Sequence, residues 1–335
     1  MSLSRRRILL AAVAAATAPL AARVSNVFAA PPKGRTFRIG ILTSGIPIRW
    51  DLVEGATVRG LRDLGYIEGK NTVLTMRRAT WPDPRMETFA QELVDSNVDI
   101  IITSCGWSTG SALKATKTIP IIMGAMHDPI GRGFIKSLAR PGTNVTGSTG
   151  YIPDLGPKMM EYIRIAVPQA KVIGMLSNLS NPTHAERSTQ IQAAARAMDM
   201  SMVEIALQRT STQESLTAAL RSQGVQAMMV MPDDDFYYEY LDRIFPISEA
   251  MRLPTFFTKR DLVDLGATFA YGVDPETIFR RSAYYVDKVL NGADPAELPV
   301  EQPTKLEFAI NVKKASAMGF EIPRAALMRA DYLMK

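Results

Sequence analysis

The sequence of 335 residues is poor in the groups that metal and redox chemistry need: one cysteine, Cys105, and two histidines, His127 and His184. A single cysteine excludes an intrachain disulfide, and one cysteine with two scattered histidines lacks the spacing of a zinc site. Past the N-terminal segment no apolar run reaches about 18 residues, so no membrane span is predicted. Phosphate loops and dinucleotide fingerprints are missing as well. Gly131 and Gly133 follow a strand-like run but lack the fingerprint spacing and serve as turn residues. Asp233-Asp234-Asp235 is acidic enough to suggest a cation, yet three consecutive acids do not converge on one ion easily. A capped helix start with one cleft-facing acid, Asp233, fits better. Neither a metal nor a cofactor is expected.

What is present begins with an export signal. Residues 1–29 combine a cationic start, an apolar stretch from Ile8 to Leu20 and small residues before a Pro-rich exit. Ser4-Arg5-Arg6-Arg7-Ile8-Leu9 fits a twin-arginine signal, and an ordinary Sec signal with three arginines fits too. Cleavage is expected near Ala29. The formal charge of +6 then falls to +2, because Arg5, Arg6, Arg7 and Arg23 leave and no acid does. The basicity therefore gives no support to a nucleic-acid partner. With no cysteine to carry a lipid after the signal, the expected product is an unanchored periplasmic protein, by default a monomer.

From Phe37 onward, short β-branched runs alternate with amphipathic stretches of helix length. FRIGILT, NTVLTM, VDIIITS and IPIIMGA read as strands, with helices between them. Near-continuous apolar strands alternating with helices predict parallel sheets covered on both faces. The order then recurs: Ile39 to Ser44 is echoed by Ile173 to Asn178, and Val98 to Ile102 by Val225 to Met229. This predicts an α/β protein of two Rossmann-like lobes with parallel sheets. The first lobe is expected over 36–149, completed by about 273–300. The second is expected over 150–272, completed by about 301–335. The chain would cross between lobes near Gly147 to Pro157, near Tyr271-Gly272 and around Leu298 to Lys305, a multi-strand hinge.

In open parallel sheets, ligands sit beyond the carboxyl ends of the strands, so two facing sheets place those ends on one cleft. The loops that reach it are Thr43 to Trp50, Ser104 to Thr109 and Met126 to Pro129 from one lobe. From the other they are Ser177 to Asn181, Pro232 to Phe236, Thr258 to Arg260 and the segment at Tyr271. One of these loops carries Gly106-Trp107-Ser108-Thr109-Gly110, a G-x-S-x-G pattern between a strand-like and a helix-like run. As a nucleophile elbow it needs a base. His184 comes at mid-chain, and only His127, after the next strand, could approach Ser108. Helix capping by Ser108, with backbone N–H groups at Ser108 and Thr109 taking a carboxylate, suits the surroundings better. Trp50 and Trp107 could each offer a flat face to a planar ligand. Asn178, Asp233 and Tyr271 could take an ammonium or hydroxyl from the far side.

Longer runs resemble a known family. LRDLGYIEGKN (Leu61 to Asn71), TIPIIMGAMHDPIGRGFIKSLARPGTNVTG (Thr118 to Gly147), NPTHA (Asn181 to Ala185) and the tail from Tyr285 to Pro323 are similar to ABC-transporter substrate-binding proteins of the group that includes tryptophan and tyrosine importers. The resemblance implies a type I periplasmic-binding fold that closes on a small solute and delivers it to a membrane permease. It implies ligand contacts from the loop at Cys105, Gly106, Trp107 and Ser108; Asp128 and Asn178 sit where such proteins have similar residues and are read as contacts, and Ser44 and Ser177 are candidates from the strand-end loops. At the loop after VDIIITS such proteins commonly have Gly-Thr-Pro, where this chain has Cys105-Gly106-Trp107. An aromatic amino acid or related aromatic carboxylate is the expected ligand. An exported serine hydrolase using Ser108, and a ligand sensor docking on a membrane receptor, are the alternatives. A signal peptide where a DNA-binding domain would stand excludes a two-lobed repressor.

Overall fold

The computed structural model describes residues 34–335 except 46, 81–82, 151, 153, 180–182 and 232–235. The expected export signal and Asp233 lie outside the described residues. The first run of elements is β1 (Phe37–Ser44), α1 (Pro47–Asp63), β2 (Thr72–Ala79), α2 (Arg85–Asp95), β3 (Ile100–Thr103), α3 (Gly106–Ala115), β4 (Ile121–Met126) and β5 (Val145–Thr149). The second run starts with α4 (Leu155–Ala166), β6 (Val172–Ser177), α5 (Thr183–Ala197), β7 (Ser201–Ala206), α6 (Gln213–Ser222) and β8 (Ala227–Val230). It continues through α7 (Leu241–Met251), β9 (Thr255–Lys259), α8 (Asp261–Leu265) and β10 (Phe269–Val273). Last come α9 (Pro275–Leu290), β11 (Glu307–Asn311), α10 (Val312–Ala317), α11 (Arg324–Leu327) and β12 (Tyr332–Met334).

These strands form two sheets, one per lobe. The first has the order β2-β1-β3-β4-β5 and is parallel throughout. Its central strands β1, β3 and β4 read as mostly apolar runs because both faces are covered, while the edge strand β2 is largely half-exposed. Ile39, Ile41, Ile100, Ile102 and Ile122 pack on one side with Tyr285 and Val286 of α9. Leu42, Ile101, Ile121 and Met123 pack on the other with Met86, Ala90 and Leu93 of α2. Alternate residues of one strand thus feed two cores.

The second sheet has the order β12-β11-β10-β9-β8-β6-β7. It departs from the all-parallel expectation at one place: β11 runs antiparallel to β10. The reason lies in the path of the chain. Between β10 and β11 it leaves for the first lobe, and it returns from the hinge side with no crossover helix on its own sheet.

That excursion is α9. The Asp274 side chain accepts from the Glu276 N–H at 3.2 Å, Pro275 opens the helix, and Ile278, Phe279, Ala283 and Val286 lie on its buried face. It packs on α1 so closely that a Cβ at Gly60 would stand 2.6 Å from the Arg280 carbonyl. A helix late in the sequence therefore completes the first lobe.

The three interlobe connections are tied together at one residue. The Glu301 N–H donates to the Gly147 carbonyl at 3.0 Å, and the Thr149 N–H donates to the Glu301 carbonyl at 2.9 Å. Arg281, just past the second crossing, donates to both carboxylate oxygens of Glu301 at 2.8 and 2.7 Å. The second crossing falls at Asp274, after Tyr271-Gly272, which still belong to β10. Gly272 is required by space, since a Cβ there would stand 1.8 Å from the Thr258 carbonyl oxygen. Gly272→Ala is expected to cost more than about 2 kcal/mol, because backbone has to move. Urea denaturation of variant and parent checks this, and an unchanged midpoint would refute it.

Candidate functional site

The carboxyl ends of the strands carry the chemistry. Ser44 ends β1 and Ser177 ends β6, the matching strand of the other lobe; the two are 2% and 0% exposed. Both hydroxyl oxygens are buried without a hydrogen-bond partner. Buried hydroxyls are normally paired, so two orphans at equivalent strand ends stand out.

Where residues of the two lobes meet lies a narrow, two-chambered cavity. One chamber, of about 320 Å³ including space open to solvent, is lined by His127, Gly150, Gly156, Arg187, Gln190 and Ile191, among others. The adjoining one, of about 260 Å³ on the same measure, is lined by Ala125, His127, Gly150, Thr258, Lys259 and Val273, among others. His127 and Gly150 come from the first lobe, Thr258 and Lys259 from the second. Ile152 and Leu155, on and after the first crossing, border both chambers.

His127 dominates the electrostatics. Burial holds its imidazole well below the usual range, and the nearby positive charges of Lys259, Arg187 and Arg132 push the same way. It is therefore neutral at pH 7. Lys259 is 3% exposed, with Nζ 5.4 Å from the centroid of the Tyr238 ring. The Tyr238 hydroxyl donates to Asp261 at 3.0 Å. On the neighbouring loop the Asn178 N–H donates to His184 Nδ1 at 3.1 Å, which makes that nitrogen the acceptor.

The Gly106–Gly110 loop is not an elbow. Cys105, fully extended at φ −160° and ψ 179°, is the N-cap of α3, and Ser108 is the third helical residue rather than the cap. The Ser104 and Cys105 N–H groups each donate to Ser108 Oγ at 3.1 Å, and that hydroxyl donates to the Cys105 carbonyl at 3.1 Å. Thr109 also donates to that carbonyl, at 2.7 Å. Ser108 is 0% exposed. Its one proton and its lone pairs are committed to backbone, and no hydrogen bond joins it to either histidine. The hydrolase alternative is overturned by this geometry.

Other expected residues separate into groups. Trp107 is half-buried and packs against the first-lobe core shared with α2. Asp128 folds back on its own turn, where Oδ1 accepts from the Gly131 N–H at 2.9 Å, with φ at 51°. Tyr271 is withdrawn from the cleft: it is 7% exposed and stacks on Tyr162 at 4.1 Å between centroids. Burial pushes its hydroxyl up to about 12. Trp50 stands in the first turn of α1 with its indole nitrogen buried and unpartnered.

The cavity residues that sequence reasoning missed are His127 as a lining group, Gly150, Lys259 and Arg187. His127 and Lys259 fall in loops assigned to the cleft, so their position carried the signal. Arg187, inside α5, carried none. Among the described residues, no three His, Cys, Asp or Glu side chains gather to hold a metal. No described helix is long and apolar enough to cross a membrane.

Ser108→Ala is expected to lower stability by about 1 kcal/mol through loss of the α3 cap pair. Hydrolysis of p-nitrophenyl acetate by parent and variant is expected at the same background rate. A Ser108-dependent rate would overturn the reading of this loop.

Residues 47–334 match the model of the family described as ABC transporter substrate binding protein. A tyrosine-binding protein of Clostridioides difficile (strain R20291) is 26% identical over 272 residues, which cover 81% of this chain and 77% of that protein. Among solved structures, an ABC domain from Streptococcus pneumonia in complex with L-Trp overlays with a TM-score of 0.80 at 24% identity, over 89% of this chain and 99% of that one. The ligand-free, open structure of a substrate-binding protein with adhesive properties from Clostridium difficile overlays at 0.69, with 24% identity and the same coverages. With its two lobes, strand-end cleft and match over most of its length, the chain belongs to the ABC transporter substrate-binding protein family.

Proposed function

We propose that this protein is the solute-binding component of an ABC importer, working in the periplasm and handing its solute to an inner-membrane permease. Its ligand is an aromatic amino acid or a related aromatic carboxylate, held in the interlobe cleft and enclosed by hinge closure. The observation that carries this reading is the cavity lined from both lobes, bordered by hinge residues, with an orphan hydroxyl at each of two matching strand ends. A ligand spanning such a cavity binds the closed arrangement better than the open one, which is what drives closure. The L-Trp complex and the tyrosine-binding relative support the aromatic class.

The test is a thermal-shift screen over the amino acids and aromatic acids. At a hundredfold excess over Kd, L-tryptophan, L-tyrosine or L-phenylalanine is expected to raise the melting temperature by about 5 °C. If only solutes of another class raise it, the aromatic assignment falls.

Closure also predicts a pH dependence. His127 meets Lys259, Arg187 and His184 of the second lobe, beside Arg132 of its own. A protonated His127 is disfavoured there, so its lowered pKa makes closure strongest above the open-state value and weaker below it. With an ordinary imidazole near about 6.5 in the open state, affinity is expected to be full at pH 7.5 and to fall by up to about tenfold by pH 5.5. Calorimetry at both values checks this, with His127→Asn expected to flatten the profile. A flat profile in the parent would refute it.

A further inference from the structure

The connection from β1 to α1 holds two buried polar atoms with no partner: the Ser44 hydroxyl at the strand end and the Trp50 indole nitrogen in the first helical turn. An indole N–H can only donate, and a buried one nearly always finds an acceptor. Here none is supplied among the described residues. What the protein supplies instead is a support for the ring. The Arg78 guanidinium lies 5.5 Å from the Trp50 ring centroid. Arg78 is itself fixed, because Nε donates to Glu54 Oε1 at 2.8 Å and Nη2 donates to Oε2. Glu54, 4% exposed, also accepts from the Thr43 hydroxyl at 3.1 Å. The chain Thr43–Glu54–Arg78–Trp50 thus joins the ends of β1 and β2 to α1. Two of the five Arg78 N–H donors are thereby committed to Glu54.

We propose that Trp50 is the aromatic-selecting contact of the cleft, its indole N–H donating to an acceptor on the solute, with Arg78 and Glu54 as positioning residues. This rests on the aromatic assignment made above. The half-buried ring, backed by a guanidinium, gives its remaining surface to a planar solute. The Ser44 hydroxyl adds a second donor on the same connection, and a carboxylate has two oxygens to receive both.

The experiment is calorimetry with L-tyrosine and L-tryptophan on the parent, Trp50→Phe, Trp50→Leu and Arg78→Gln, each checked for folding by thermal melt. Trp50→Phe keeps a ring and removes the donor, with an expected loss of affinity of roughly 5–10-fold. Trp50→Leu removes both, with a loss of roughly 10–100-fold. Arg78→Gln is expected to weaken binding about threefold or more, at the scale of an exposed cation–π contact. It should also raise quenching of indole emission by acrylamide in the unliganded protein, with partial rescue in Arg78→Lys.

If the parent binds L-tyrosine and both Trp50 variants bind it within about twofold, the inference is overturned while the aromatic assignment stands. If Trp50→Leu fails to fold, Trp50→Phe decides alone. If the parent binds neither amino acid, the aromatic assignment fails and takes this inference with it.

Discussion

Two parallel sheets can share a cleft only if their carboxyl edges are kept facing each other, and in this chain that task falls on the backbone around Glu301. Its N–H and carbonyl pair with Gly147 and Thr149 on the first crossing, while its carboxylate holds Arg281 just beyond the second. Three connections tied at one residue restrict the lobes to hinge-like motion and keep Gly150, Ile152 and Leu155 against the cavity. The positions of His127, Thr258 and Lys259 follow from this, since each ends a strand whose direction the tie maintains. The antiparallel β11 is a consequence of the same path: a strand entering from the hinge has no reason to follow the direction of its neighbours.

Within that frame the lobes divide the work. Both contribute an orphan hydroxyl at the end of their first strand, Ser44 and Ser177. The second lobe lines the cavity with Lys259 and Arg187, the first with His127. A neutral imidazole amid cations suits a site that is dry when closed, because burial and positive neighbours disfavour its protonation together. The family match explains the common architecture.

The loop carrying Ser108 shows how far a short pattern can mislead. Gly-Trp-Ser-Thr-Gly has the spacing of a nucleophile elbow, but the spacing says nothing about where the hydroxyl's hydrogen bonds go. In the fold Ser108 faces inward onto Ser104 and Cys105, and its neighbour Trp107 packs beside α2. Tyr271 is a parallel case. Its place late in a predicted strand near a crossing suggested the cleft, but strand alternation turned it toward Tyr162. One residue of register decides between core and cleft, and the apolar runs of a doubly covered sheet do not reveal register.

The sequence alone determined the α/β class, the duplicated order of elements and the two lobes. It could do so because apolar periodicity and glycine or proline breaks are local. Long runs such as Thr118 to Gly147 and Tyr285 to Pro323 also pointed to the family before any coordinates were considered. Only the tertiary structure decided which side chains of the strand-end loops face the cavity. It also decided that Trp50 rather than Trp107 has an unmet donor. Those outcomes depend on contacts between residues far apart in the chain, such as Thr57 with Phe279 and Arg78 with Glu54. No window of sequence contains both partners together with the geometry that joins them.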